Sequence, residues 1–434
     1  MNTKSPVTAR VYDVVVIGGG AAGLATIASL LKRQPDLSIA LAEPSQQHFY
    51  QPGWTLVGGG VFEQSSTVKN MADLIPQTVS WFDTAAQSFS PLQNSVLLAD
   101  NTKLQYRSLI VATGLKLDWG AIAGLDNHLG SCGITSNYAP GLAPYTWELV
   151  QNLDKGRAIF TQPVMPIKCA GAPQKAMYLS CDHWLRRQRL RHIDVQFCSA
   201  GAVLFGVPDY VPALNSYIEK YDISLNLQTQ LLSIDASAKT ARFKKTNADS
   251  STEIIEKEFD MLHLTPPQVA LDVIRQSPLA DVAGWVDVFP DTLQHKNYAN
   301  VFALGDCANT PNSKTAAAVR KQAPVVAENV LNLLKNRKLT SVYDGYGSCP
   351  LTVERGKIVL AEFIYGGKLA PTFPSWFING TQPSALSWFL KEKMLPPLYW
   401  YAMLKGHEWM AASIQKDDLP TDRHVKPSCN FDVS

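Results

Sequence analysis

A glycine-rich motif follows directly after an apolar strand near the N-terminus. Gly18, Gly20 and Gly23 form a G-x-G-x-x-G spacing after the apolar run 14–17, and residues 24–31 are predicted to be helical. A second apolar strand ends in Glu43, twenty residues after the last glycine. This order predicts a dinucleotide-binding Rossmann unit, in which the helix N-terminus stabilises a pyrophosphate and the acid accepts from a ribose hydroxyl.

Size and charge set further limits. A chain of 434 residues is long enough for two or three domains, and a net charge of +2 argues against a nucleic-acid partner. No apolar run approaches the roughly 20 residues of a membrane-spanning helix. Residues 1–10 lack the apolar core of a targeting peptide. We therefore expect a chain retained on the cytosolic side, on the inner or cytoplasmic membrane, and bacterial rather than mitochondrial.

Two later segments indicate which dinucleotide binds. LIVATG ends at Gly114, and VFALGDC contains Gly305 and Asp306. Both resemble motifs of the glutathione-reductase-like flavoproteins, and the resemblance implies FAD, with the Asp306 carboxylate on the ribityl chain. The expected fold class is therefore α/β, with two Rossmann-like domains. A helix N-cap remains the alternative role for Asp306.

The second Rossmann-like unit lacks the motif that its fold predicts. A strand is expected from Arg157, a helix over about 174–191 and another strand from Asp194. The loop between the first strand and the helix carries no G-x-G-x-x-G, and prolines in it remove backbone donors. Its residues include Pro163, Pro166, Lys168, Cys169, Gly171 and Pro173. The fold can therefore persist without a nicotinamide site, and a metal site is not expected either.

Two of the seven cysteines have unusual surroundings. Lys168 and the following helix N-terminus would both favour the thiolate of Cys169. Cys349 lies between Gly347 and Pro350, which predicts a fixed turn. Each thiol taken alone could equally be a small buried hydrophobe.

Five segments together resemble the sulfide:quinone oxidoreductases, on the branch that includes the mitochondrial enzyme. The resemblance covers residues 12–407 and is most specific around the two cysteines. The segments are YQPGWTLVGGG from Tyr50, IKCAGAPQKAMYL from Ile167, SKTAAAV from Ser313, SCPLTV from Ser348 and KIVLAEF from Lys357.

The resemblance implies a reaction in which Cys169 and Cys349 form the redox centre, bridged by a disulfide or an extra sulfur. Hydrosulfide attacks at Cys349, Cys169 leaves, electrons pass to FAD and then to ubiquinone or a related quinone. The sulfane sulfur leaves to sulfite, glutathione, cyanide or more sulfide. Cys132, in GSCGITSNY, occupies a position where another branch carries a third cysteine, so a redox role and ordinary packing both stay open.

Further site residues are expected from the same motifs and the same resemblance. Lys391 matches a family lysine near the flavin pyrimidine, and aromatic character suggests Phe363 and Tyr399 as quinone contacts. The expected FAD contacts are Gly18, Gly20, Ala21, Ala22, Gly23, Glu43, Pro44, Gln51, Trp54, Thr55, Ala112, Thr113, Gly114, Gly305, Asp306, Lys314, Thr315 and Lys391.

The C-terminal stretch 385–410 predicts two amphipathic helices broken by Pro396 and Pro397. Aromatic residues with interspersed lysines are typical of helices lying in a membrane interface. A helical dimer interface or a cap on the core is the alternative, and a homo-oligomer stays open.

The expected domains are 1–115 and 265–340 for FAD, 116–264 for the second Rossmann-like unit, and 341–434 for the C-terminal region. Three other functions are compatible with a flavoprotein of this fold. A type II NADH:quinone oxidoreductase would need an intact second glycine loop. A sulfide dehydrogenase with a cytochrome partner would be exported, and a flavin-bound sulfide sensor or persulfide carrier would not turn over with quinone.

Overall fold

The computed structural model describes residues 10–418, so Cys429 and the first nine residues lie outside the described part. Five helices of ten residues or more occur in it. They are α1 (Ala21–Arg33), α2 (Ala143–Asn152), α3 (Ala172–Arg186), α4 (Val211–Lys220) and α5 (Ala316–Leu334). Shorter α-helical turns span Trp54–Val57, Asp272–Arg275, Ala385–Phe389 and Leu395–Pro397.

The first Rossmann unit is a seven-stranded sheet whose central strand is Val11–Ile17, buried on both faces as its apolar run predicts. Val14 and Val16 face the core shared with α1 and α5, while Val15 and Ile17 face the opposite layer. The sheet order is Ser80–Phe82, Ile39–Ala42, Val11–Ile17, Lys103–Val111, Ser95–Leu98 and Ala86–Ser90, with Val301–Ala303 also paired to Lys103–Val111.

The second Rossmann-like unit is a parallel five-stranded sheet, so the chain has the predicted α/β class. Its order is Ile134–Thr135, Met261–His263, Gly156–Gln162, Ile193–Ser199 and Ser224–Asn226. An antiparallel sheet of Thr229–Asp235, Thr240–Thr246 and Thr252–Glu258 adjoins it. Short pairs join Lys116–Leu117 with Gln268–Val269, Gln47–Phe49 with Val68–Asn70, and Ser341–Val342 with Ile414–Gln415.

A two-stranded ribbon follows, formed by Gly347–Glu354 and Lys357–Phe363, which we call the C-terminal hairpin. Cys349 therefore lies in a strand, and the expectation of a fixed turn is wrong. An edge strand tolerates Pro350 because the missing N–H need not pair.

The C-terminal helices are not broken at Pro396 and Pro397, contrary to the sequence-based expectation. Helical turns run without interruption over residues 385–405, with π-helical stretches at Leu390–Met394 and Leu398–Ala402. The Leu395 N–H bonds to the Leu390 carbonyl five residues back, which places the prolines at the start of a new turn. There a missing N–H is tolerated.

Candidate active site at the domain junction

A cavity of about 500 Å³ lies at the carboxyl end of the first sheet and extends to the start of α3 and the C-terminal helical turns. Most of the expected cofactor residues line it, together with Lys168, Cys169 and Tyr399. These cofactor residues are Gly18, Gly20, Ala21, Ala22, Glu43, Gln51, Trp54, Thr55, Ala112, Thr113, Gly114, Gly305, Asp306, Lys314, Thr315 and Lys391. The carboxyl edge of a parallel sheet is where such folds bind nucleotides.

The backbone of the cavity fits a dinucleotide. Gly18 has φ +101°, and a Cβ there would lie 2.4 Å from the Ala112 carbonyl oxygen. Gly20 caps α1 without any side-chain hydrogen bond, so the helix N–H groups face the cavity free to bind a phosphate. Gly23 and Pro44 do not line the cavity; a Cβ at Gly23 would meet the Gly18 carbonyl at 1.8 Å, so this glycine serves helix packing.

Buried polar atoms of the cavity wall lack partners within residues 10–418. They are the indole N–H of Trp54, the hydroxyls of Thr55 and Thr113, and the amide of Asn137. Buried polar groups are normally hydrogen-bonded, so these atoms indicate a polar ligand. These unpartnered polar atoms lie along a cavity that begins at the glycine-rich loop. This arrangement fits FAD.

Two acidic residues are held at the cavity. Glu43 accepts the Gly19 N–H at 2.6 Å and the Ser45 N–H at 2.7 Å, which fixes its carboxylate beside the glycine loop. Burial raises the pKa of Asp306, and the neighbouring Lys314 ammonium opposes that rise. Lys314 itself donates to the backbone oxygens of Asp306 and Ala308, both at 2.8 Å, and so stiffens the loop that faces the cofactor.

The structure brings the two expected cysteines together. The sulfurs of Cys169 and Cys349 are 4.0 Å apart, and both thiols are free. Cys169 occupies a left-handed turn with φ +50° at the edge of the cavity, and its N–H donates to the Lys314 carbonyl at 2.9 Å. Tyr138 also holds this turn, since its hydroxyl donates to the carbonyls of Lys168 and Cys169.

Gly171 permits the close approach of the two cysteines. A Cβ at this position would lie 2.7 Å from the Cys349 sulfur and 2.2 Å from a Leu351 methyl. The backbone φ of −86° would suit any residue. Glycine is therefore needed here because a side chain would clash, not because of the backbone conformation.

We expect Gly171→Ala to slow formation of a Cys169–Cys349 disulfide by about 100-fold, since a displacement near 1 Å has effects of that size at a reacting centre. Thiol counting after mild oxidation measures the rate. Gly206→Ala is the matched control, because nothing lies within 4 Å of a Cβ there. Equal oxidation rates in both variants would contradict the packing argument.

The lysine next to the Cys169 thiol is Lys175, not the Lys168 that the sequence predicts. Its ammonium donates to the Cys169 sulfur at 3.1 Å from the first turn of α3. Lys168 was expected in this role, but its ammonium donates to Gln51 at 2.7 Å and lies over the Trp54 ring. The two residues are neighbours in sequence, but the Lys168 ammonium lies against Gln51 and Trp54 rather than against the Cys169 sulfur.

The charges around the pair favour one thiolate. The hydrogen bond from the Cys349 thiol and the Lys175 ammonium hold the pKa of Cys169 well below its usual range. The Cys169 thiolate and burial raise the pKa of Cys349 well above its usual range. Cys169 is therefore the thiolate of the pair, and Cys349 is the protonated thiol.

The remaining expected residues occupy different places. Lys391 is buried, and burial, followed by repulsion from Lys175, lowers its pKa to about 7. Phe363 does not line the cavity and packs edge-on against Phe205. Cys132 is exposed and does not line the cavity within the described chain.

The sequence and the fold of the chain are similar to those of known proteins. Residues 12–143 match the family model "Pyridine nucleotide-disulphide oxidoreductase". The solved sulfide:quinone oxidoreductase of Aquifex aeolicus superposes with a TM-score of 0.70 at 18% identity, over 89% of this chain and 91% of that one. This similarity shows the shared fold.

Curated relatives show the family. The mitochondrial sulfide:quinone oxidoreductase of Mus musculus is 39% identical over 93% of this chain and 89% of its own length. The mitochondrial enzyme of Dictyostelium discoideum is 40% identical over 92% and 87%. The Aquifex aeolicus sulfide-quinone reductase is 23% identical over 74% and 77%. The expectation of a bacterial rather than a mitochondrial chain is therefore wrong, because the mitochondrial relatives match far better. The chain belongs to the sulfide:quinone oxidoreductase family.

Proposed function

We propose that this flavoprotein oxidises hydrogen sulfide to sulfane sulfur and passes two electrons through FAD to a quinone. The observation that carries this proposal is the pair of cysteine sulfurs 4.0 Å apart, with Cys169 at the edge of the FAD cavity. No glycine-rich phosphate loop precedes α3 in the second Rossmann-like unit, so sulfur chemistry at this loop replaces nicotinamide binding.

We propose Cys349 as the sulfur-accepting residue and Cys169 as the leaving thiolate. With the two sulfurs joined, hydrosulfide bonds to the Cys349 sulfur, the bridging S–S bond breaks, and its electron pair stays on Cys169. Cys349 then carries a persulfide. This exchange step involves no net oxidation. Lys175 stabilises the departing thiolate, and a thiolate of low pKa leaves faster.

FAD would supply an acceptor for the electron pair released when Cys169 and Cys349 rejoin as a disulfide after the sulfane sulfur has left, and a donor for the quinone. The cavity that would hold this cofactor is lined by the buried Lys314 and Lys391 and the half-buried Lys168. Burial lowers the pKa of each of them, so their protonation responds to negative charge arriving in the cavity. Cations held in a dry site stabilise such charge strongly.

We propose that the quinone occupies the apolar part of the cavity. Tyr399 lines this part and donates or accepts a hydrogen bond with His48 at 2.7 Å. Phe373 lines it too, and its ring is 5.9 Å from that of Phe377, which is exposed at the surface. We propose that the quinone enters the cavity past Phe377 and Phe373.

We further propose that this surface docks on a membrane. Trp376 is 84% exposed and Trp409 is 62% exposed, whereas Trp388 and Trp400 of the helical turns are buried in the core. The exposed apolar set is Leu369, Trp376, Phe377, Leu386, Phe389, Met394, Tyr401, Trp409 and Met410. All of them lie within residues 369–410, and Trp376 and Phe377 are in ring contact at 5.9 Å. A contiguous exposed apolar patch is typical of an interaction surface. Across residues 10–418, every helix is too short or too polar to cross a bilayer.

Replacing both Trp376 and Phe377 with serine should weaken binding to lipid vesicles at least tenfold, because burying one large apolar side chain contributes about 1.5–3 kcal/mol. Vesicle co-sedimentation measures the effect. Leu92→Ser is the control, since Leu92 is 81% exposed on a hairpin of the first sheet. Undiminished binding of the double variant would exclude this surface.

The sulfane sulfur needs an acceptor, and we propose sulfite, glutathione, cyanide or a second sulfide.

We also propose the domain limits 1–115, 116–264, 265–340 and 341–434, which are supported by the strands that belong to each of the two large sheets. Sulfide-dependent reduction of a ubiquinone analogue, assayed with each acceptor in turn, tests the function. Turnover with sulfide and none with NADH is expected; NADH-driven turnover alone would favour a type II NADH:quinone oxidoreductase.

A further inference from the structure

The C-terminal hairpin carries polar chemistry on the face opposite its cysteine. In its register Cys349 pairs with Ala361, and Ser348 pairs with Glu362. Side chains alternate along a strand, so neighbouring positions face opposite sides. Cys349 and Ala361 pack into the core of the second Rossmann-like unit, whereas Ser348, Leu360 and Glu362 line the cavity.

Glu362 is a buried carboxylate with a complete set of donors. It is only 5% exposed. Its Oε1 accepts from the Tyr346 hydroxyl at 2.5 Å and from the Thr372 hydroxyl, and its Oε2 accepts the Thr372 N–H at 3.1 Å. Burying a carboxyl group is unfavourable unless it is hydrogen-bonded, and these three donors meet that need. Burial and the Glu362 carboxylate raise the pKa of Tyr346, so the phenol stays protonated.

The same residues separate the cavity from a second opening. Tyr346 and Thr372 line the main cavity and also a groove of about 230 Å³, whose other walls include Asp344 and Lys321. The Lys321 ammonium lies 5.7 Å above the Tyr346 ring. The hydroxyls thus stand between a polar groove and the apolar cavity.

Quinone reduction consumes two protons with its two electrons. Beside Tyr346 and Glu362, the cavity is lined by Leu360, Phe373 and Arg320. The first two carry no proton to give, and the Arg320 guanidinium keeps its proton. Protons must therefore reach the quinone oxygens through polar side chains in the wall.

We propose that Tyr346 and Glu362 form a relay that delivers a proton to the quinone, an inference that rests on the quinone reduction proposed above. The Tyr346 O–H bond breaks as an O–H bond forms on the reduced quinone oxygen. Glu362 receives a proton from the groove through the Thr372 hydroxyl, which lines the groove and donates to Glu362, while groove water returns a proton to the Thr372 oxygen. Glu362 then passes its proton to the Tyr346 oxygen and becomes a carboxylate. The electrons come from the reduced cofactor, and none moves between these side chains. Tyr346 is the catalytic residue, and Glu362 acts through it.

Glu362→Gln and Tyr346→Phe test the relay in separate half-reactions by anaerobic stopped-flow spectroscopy. Sulfide should reduce the flavin of both variants within about twofold of the unmodified protein. Reoxidation by a ubiquinone analogue should fall about 100-fold, which is the usual contribution of a positioned acid. Reoxidation by ferricyanide, which takes electrons without protons, should be unchanged. A merely structural role would slow all three.

Glu354→Gln is the matched control, because Glu354 lies on the same hairpin, pairs with Lys220 and Lys357, and does not line the cavity. Full-rate quinone reoxidation in Tyr346→Phe overturns the relay, and so does an equal loss with ferricyanide. Tyr346→Phe decides alone if the glutamine variant does not fold. Failure of the proposed function appears differently, as unmodified protein that sulfide does not reduce or quinone does not reoxidise.

Discussion

Cys349→Ser and Cys169→Ser should each abolish flavin reduction by sulfide, with a loss of at least about 1,000-fold. Without Cys349 no sulfur remains to accept hydrosulfide, and without Cys169 no thiolate can leave. Serine cannot replace either thiol, because its hydroxyl forms no sulfur–sulfur bond and ionises far less readily. Anaerobic stopped-flow absorbance of the flavin band measures the loss.

Dithionite reduces flavin without the cysteines, so it should still bleach both variants and so separate lost chemistry from lost FAD. Cys132→Ser should keep its rate, since that thiol is exposed and lies outside the cavity lining. Sulfide-driven bleaching that persists in both Cys169→Ser and Cys349→Ser would remove the cysteine mechanism. A loss in Cys132→Ser would restore the third-cysteine hypothesis.

Lys175→Met should lower the rate of sulfide-driven flavin reduction by about 10- to 100-fold near neutral pH, since a hydrogen bond to a charged group contributes roughly 1.5–3 kcal/mol. Lys175 lies 3.1 Å from the Cys169 sulfur and is 2% exposed. Removing its charge raises the pKa of Cys169, so the thiol form extends to higher pH. The acid limb of the pH–rate profile should therefore move upward, with activity recovering in alkaline solution.

Lys175→Arg keeps the cation and should restore part of the rate and of the pH profile. A uniform loss in Lys175→Met with no displacement of the acid limb would show that the lysine serves packing rather than thiolate stability. The profile thus distinguishes charge from structure, which a rate at one pH cannot do.

Local motifs predict the cofactor end of the site well. Gly18, Gly20 and Glu43 meet at the cavity because the strand, loop and helix that position them are continuous in sequence. Only the family resemblance predicts that Cys169 and Cys349, which lie 180 positions apart, are close in the fold. No spacing rule predicts such a contact, because it depends on how the C-terminal hairpin packs on α3.

Side-chain direction accounts for the residues that were missed. Lys175 reaches Cys169 only because α3 begins at Ala172 and turns its first-turn side chains back toward the loop. Glu362 carries a weak signal, a carboxylate inside the otherwise apolar run of residues 358–363. The sequence of residues 385–410 predicts aromatic side chains in a membrane interface. The helical turns instead divide these side chains between core and solvent, so Trp400 is buried and Tyr401 is exposed.

Anaerobic stopped-flow reduction of the FAD-loaded protein tests whether sulfide reduces the flavin through the Cys169–Cys349 pair. Sulfide should bleach the flavin band without any nicotinamide, and a ubiquinone analogue added afterwards should restore it. Bleaching by NADH with no response to sulfide would contradict sulfide oxidation through the Cys169–Cys349 pair.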